Sequence, residues 1–231
     1  MAKVKSFFNY SGTLSEVTLV ESKRYGRHAR MRRGTFTKVE INEAFKSSAK
    51  ALVKANRPAK IVKDALDPHR KNFKDGSLWQ RLVSVFKLAM RVDSQPDFML
   101  LKGFEIFKKY PLNRHIQIET SCEVDDKGML HVTIQSTGPT VFDGNKEINQ
   151  YELRLIVVFP QPELNTAETL VFDFPRLPLH RPLVPYKTII KIPVHVQAAL
   201  LCVKLEGWSR GYRSANLKTM GMAIVNSLTL S

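Results

Sequence analysis

Apolar and polar positions change their period along this chain, and the change divides it. In the second half they alternate. Ile116 and Ile118 stand against Gln117 and Glu119, and Leu130, Val132 and Ile134 share one side of the next run. A period of two is that of a pleated strand with one buried face. The runs 115–124 and 129–136 flank Asp125-Asp126-Lys127-Gly128, a tight-turn signal, and so predict a hairpin. Further strands are predicted at 150–159, 168–174, 188–196, 199–206 and 221–229. Short strands at this spacing, separated by Gly, Pro and Asn, predict an antiparallel β-sandwich. Residues 176–185, RLPLHRPLVP, hold too many prolines for an internal strand and are expected as a loop or an edge segment.

The first half reads differently. Partial alternation over 3–9 and 14–21, with a turn signal at Ser11-Gly12, predicts a hairpin. Thr37-Lys38-Val39-Glu40 is a capping box, which sets a helix over 38–55 with Ile41, Phe45, Ala49 and Leu52 as its buried stripe. Pro58 suits the first turn of a second helix, 58–66, which Asp67-Pro68 breaks. Asp75 or Ser77 caps the most apolar helix, 78–92, where Leu78, Trp79, Leu82, Val83 and Phe86 make a wide face. That register assigns Trp79 to the core rather than to a base. Residues 98–110 fit either a strand pair or a helix broken at Gly103. The expected class is α+β: a basic hairpin-plus-helices module over 1–111, then a β-sandwich-like domain over 112–231.

Charge sharpens the division. Of a formal net charge of +15, nearly all lies in the first half: 24 Lys and Arg face 10 Asp and Glu up to Pro111, and 12 face 11 beyond it. A one-signed field attracts polyanions. The densest stretch is KRYGRHARMRR at 23–33, six of whose eleven residues are Lys or Arg, with no acid among them. As a strand it places Arg24, His28, Arg30 and Arg32 on one face and Tyr25, Arg27, Ala29 and Met31 on the other. Lys46, Lys50, Lys54 and Arg57 then recur at helical spacing. Such a stripe suits an external anion, and equally a solvated face whose lysine stems cover apolar surface. The candidate phosphate contacts are Lys23, Arg24, Arg27, Arg30, Arg32, Arg33, Lys46, Lys50, Lys54 and Arg57. A second candidate is the segment 208–213, with Trp208, Arg210, Tyr212 and Arg213. It either stacks on bases and clamps phosphates, or forms a hairpin turn whose aromatics flank the sandwich core.

No Gly-rich phosphate loop, dinucleotide fingerprint or nucleophile elbow is present in the sequence. The six histidines are scattered and pair with no Cys-x-x-Cys, so neither a metal nor a cofactor is expected. Cys122 and Cys202 make no disulfide framework and suggest a reducing compartment. With no long apolar run and no signal peptide, the expectation is a cytoplasmic protein without a membrane partner.

The segments GTLSEVTLV (12–20), NEAF (42–45), DGSLWQRLV (75–83) and LLKGFE (100–105), followed by a β-rich half, resemble a family of uncharacterised small proteins from Bacteroidetes bacteria. Those share an N-terminal hairpin, a helical middle with a DG…RL signature and a GFE-type segment before a β domain. The similarity spans most of the chain and implies no activity and no functional residues. YGRHARMRR (25–33) departs from the milder segment of that family, so the basic reading rests on the residues themselves. The function expected is non-enzymatic nucleic-acid binding by the basic module. The alternative is a structural subunit of a phage-like particle or other bacterial assembly, a homo-oligomer or a binder of an acidic protein.

Overall fold

The structure is a computed structural model that describes residues 2–3, 12–22, 26–31, 42–71, 75–89, 96–142 and 147–230. They fall into two compact units, Met1–Lys46 and Ser47–Ser231.

In the first unit β1 (Ala2–Lys3), β2 (Gly12–Leu14), β3 (Val17–Ser22) and β4 (Gly26–Met31) pair antiparallel in the order β1-β4-β3-β2. The strand expected over 14–21 is cut in two. Leu14 pairs with Val17 across a turn at Ser15-Glu16, where Ser15 takes a left-handed φ of 53°. That is the reversal between β2 and β3; Gly12 belongs to β2, and Ser11, with the rest of the expected first strand beyond Lys3, lies outside the described residues. The basic stretch is extended as expected over 26–31.

Helix α1 (Glu43–Leu66) starts at the end of this unit and continues into the second. It is one helix of 24 residues where the sequence predicts two. Asn42 caps it, its Oδ1 accepting from the Phe45 amide at 2.8 Å; the capping box at 37–40 lies outside the described residues. Pro58 sits inside the helix rather than at a start. A proline there costs about 3 kcal/mol in isolation. Burial of Ala55, Ala59, Val62 and Leu66 around it offsets that loss. The buried side of α1 begins only at Ala55. Phe45 is 69% exposed and Leu52 42%, so the expected stripe is not buried. Helix α2 (Leu78–Ala89) follows, with Asp75 Oδ1 accepting from the Ser77 amide ahead of it.

The ambiguous segment forms a 3-10 turn, Phe98–Leu101, and then β5 (Phe104–Glu105). The Arg81 guanidinium fastens α2 to it, donating to the carbonyls of Glu105 (2.6 Å) and Ile106 (3.1 Å) and to Asp75 Oδ2 (2.7 Å).

Among the described residues nine further strands follow: β6 (Gln117–Val124), β7 (Met129–Thr137), β8 (Gln150–Gln161), β9 (Thr166–Asp173), β10 (Leu177–Pro178), β11 (Tyr186–Lys191), β12 (Ala198–Ser209), β13 (Tyr212–Arg213) and β14 (Met220–Thr229). One sheet runs β11-β7-β6. The other runs β8-β12-β14-β5, with β9 and β10 on the free side of β8. Taken in chain order, the first, second and fifth long strands make one sheet, and the fourth, third, sixth and seventh make the other. This is an immunoglobulin-like sandwich with the fourth strand moved to the sheet of the third.

Leu130, Val132, Ile134 and Ile190 meet Tyr151, Leu155, Leu201 and Val203 between the sheets. On its other face the larger sheet offers Ile156, Val158, Leu200, Cys202 and Met222 to Ala59, Val62, Leu82, Phe86 and Phe98. Covered on both sides, β8 is apolar at every position from Leu155 to Phe159. The helices share a core with the strands, because their apolar faces have that sheet to cover. The border between compact units accordingly falls at Lys46, well before the change of composition near Pro111.

Candidate functional site

Of the basic stretch, Lys23, Arg24, Arg32 and Arg33 lie outside the described residues. Pairing with β3 sets the parity of the rest. Glu21 stands opposite Arg27 and Val17 opposite Met31, and these four are exposed. Arg27 reaches Glu21 at 3.5 Å. The alternate positions turn the other way: His28 is buried and Arg30 half-buried, its Nε enclosed. The expected guanidinium face at Arg30 is thus the more covered side of the sheet, and Arg27 occupies the open one.

On α1, Lys46 is exposed and reaches Glu43 Oε1 at 2.7 Å. Lys50 and Lys54 are exposed one turn apart, and neither pairs with an acid among the described residues. Arg57 is exposed but tied to another part of the fold. Its Nη2 donates to the Glu163 carbonyl at 3.2 Å and its Nε to Asn165 Oδ1, which fastens α1 to the β8–β9 turn. The stripe read from the sequence therefore stays open to solvent throughout, and at Arg57 the cation is engaged by Glu163 and Asn165.

A second concentration of charge lies on the helix side of the sandwich. Along β12, Ala198, Leu200 and Cys202 give way on the same face to Lys204, Glu206 and Trp208; along β8, Val158 and Ile156 give way to Arg154 and Glu152. Lys204 Nζ lies 3.1 Å from Glu206 Oε1, with side chains 5% and 6% exposed. Arg213 Nη1 donates to the same carboxylate at 3.2 Å. Arg154 pairs with Asp173, and Arg176 lies 3.6 Å from Glu152. Arg176 also stacks on Trp208, its guanidinium carbon 3.4 Å from the ring centroid. Burial holds the Lys204 ammonium below its usual range against the pull of Glu206. His69, on the 3-10 turn Asp67–Arg70, is held below the ordinary 6.5 by burial, then by Arg154 and Lys204. These groups largely neutralise one another and form no one-signed surface. Their sequence signal was charge at period two inside an apolar run.

The β12–β13 hairpin rises from this network. Trp208 pairs with Arg213 and Ser209 with Tyr212, around a two-residue turn at Arg210-Gly211 with φ of 49° and 82°. The two readings of the segment divide between its aromatics. Trp208 is half-buried beneath Arg176, whereas Tyr212, on the opposite face, is 80% exposed. The base of the hairpin is tight. A Cβ on Gly207 would lie 3.0 Å from the Thr219 Cβ and 3.2 Å from Ile148 and Phe142.

Burial pushes the Cys122 thiol up to about 11 and raises that of Cys202. Burial also raises Glu105, whose Oε2 accepts from the Leu112 amide at 2.9 Å and caps the turn Leu112–Arg114. His131 turns to Asp125 (2.9 Å), and His115, ahead of β6, to the Val141 carbonyl (3.0 Å). Among the described residues, no three His, Cys, Asp or Glu side chains form a group that could hold a metal, and no helix is long and apolar enough to cross a membrane.

No family model matches the chain, and no curated protein matches it. Among solved structures, R. palustris CsgH is similar over 48% of this chain and 92% of its own, with 10% identity and a TM-score of 0.24. A likeness that slight carries no shared role.

Proposed function

We propose that this is a non-enzymatic nucleic-acid-binding protein that holds the phosphate backbone with the cations of its basic half. The observation that supports the reading is the uncompensated surface of α1. Lys50 and Lys54 stand exposed one turn apart without an acid partner among the described residues. Like charges at that spacing cost about 0.2–0.5 kcal/mol, which a bound phosphate chain reverses. Arg27 and Lys46 are exposed as well, and Lys23, Arg24, Arg32 and Arg33 add further cations in the sequence. Contacts to phosphate position a protein without reading bases, so the expected binding is sequence-tolerant. Titration of a labelled duplex at several salt concentrations tests this. Several phosphate contacts require the logarithm of the affinity to fall linearly with the logarithm of salt, with a slope of about 0.9 per contact. A flat dependence removes the reading.

A second reading, a subunit of a larger assembly, is favoured by one feature. Strands β9 and β11 are each paired on one side only among the described residues. Between them lies a groove of about 550 Å³ whose walls include Leu170, Phe172, Ile190 and Ile192. Free strand edges beside apolar surface are templates for pairing with another chain. Light scattering after size exclusion decides it: a defined oligomer supports the assembly subunit and a monomer opposes it.

A further inference from the structure

The contacts assigned in the basic half are all cations. The near-neutral half sets its most exposed aromatic, Tyr212, two residues from Arg210 at a hairpin tip. We infer that the tip of the β12–β13 hairpin is a contact for single-stranded nucleic acid, with the Tyr212 ring stacking on a base and Arg210 meeting the adjoining phosphate. This rests on the nucleic-acid reading above and adds to it a site and a form of the ligand.

Three observations carry it. Tyr212 is 80% exposed, so its ring covers no core, and the hydrophobic gain of folding does not account for its place. Arg210 occupies the first position of a two-residue turn with φ of 49°. Such turns favour Asn or Gly there, and another residue in the left-handed region costs roughly 1–2 kcal/mol. A guanidinium is nonetheless held at the tip, with no acid paired to it among the described residues. Strain of this kind points towards a use for the side chain.

The third observation is the support. Gly207 is closely packed under Thr219, Ile148 and Phe142, Trp208 is clamped by Arg176, and Arg213 is tied to the enclosed Glu206. Backbone bonds from the Asn149 amide to the Trp208 carbonyl (3.1 Å) and from the Ser214 amide to the Gly207 carbonyl (2.9 Å) hold the base of the hairpin from both sides. A rigid base lets an exposed side chain bind without ordering a loop first. The ligand form follows from geometry. In a duplex the bases stack on one another, whereas in a single strand each offers a free π-face.

The test is anisotropy with a labelled single-stranded DNA and a duplex of the same length, against wild type, Tyr212→Ala, Tyr212→Phe and Lys50→Gln/Lys54→Gln. Loss of one aromatic stack should weaken single-strand binding by Tyr212→Ala about five- to a hundred-fold. Duplex binding and thermal stability should stay as in wild type, and Tyr212→Phe should retain single-strand affinity. The lysine variant should weaken both ligands. If Tyr212→Ala binds the single strand as wild type does while the lysine variant is impaired, the hairpin site is overturned and the phosphate-binding reading stands. If wild type binds neither ligand, both fall.

Discussion

Strand β12 crosses two surfaces on one face of one sheet. Its first half offers Ala198, Leu200 and Cys202 to the helices, and its second half offers Lys204, Glu206 and Trp208 to an ion network. The apolar half needs only to be covered, and α1 and α2 cover it. The charged half needs a partner for each group in turn: Glu206 for Lys204 and Arg213, Asp173 for Arg154, Trp208 and Glu152 for Arg176. The first surface explains stability. The second explains why the hairpin at its end is held rigid while its own tip stays in water.

The largest effect should come from the apolar half. Phe86 is fully buried and packs edge-on against Phe98 at 5.4 Å. Phe86→Ala should cost about 3–5 kcal/mol in chemical denaturation. In the charged half, Glu206→Gln takes from Lys204 the carboxylate 3.1 Å away in an enclosed site. A loss of about 3 kcal/mol is expected. Replacing Lys204 and Glu206 together by Met and Leu should be close to neutral, because no buried charge is then left alone. If the single and double variants are equally destabilised, the ion network is not what holds this end.

A smaller effect depends on pH. His69 has its pKa lowered in the fold, so its contribution to stability is present above 6.5 and is lost as pH falls through the folded value. Protonation places a third cation beside Arg154 and Lys204. The melting temperature should drop between pH 7 and pH 5, and the drop should shrink in His69→Gln. An equal drop in the variant assigns the effect elsewhere. The least effect on stability belongs to the open lysines. Lys50→Gln and Lys54→Gln should each shift unfolding by less than about 0.5 kcal/mol.

These two surfaces also show what the sequence can carry. The hairpin of β6 and β7 is legible because one face of β7 is buried and one face of β6 half-buried, which leaves a clean alternation at Leu130, Val132 and Ile134. The helix layer over the larger sheet is not, because burial on both faces turns β8 into a plain apolar run. Pro58 reads as a helix start, since only tertiary burial keeps a proline in a helix interior. Arg57 reads as one of four equivalent cations, and its partners Glu163 and Asn165 lie more than a hundred residues away. Trp208 and Tyr212 look alike in sequence; the pleat turns one beneath Arg176 and the other into water. Arg27 and Arg30 are separated by the same alternation.

The account stands most directly on the affinity of the wild-type protein for nucleic acid as a function of salt, read beside Lys50→Gln/Lys54→Gln. It predicts a steep linear decline on logarithmic axes and a slope shallower by about two units in the double variant. An affinity independent of salt, or a double variant with the wild-type slope, would contradict it.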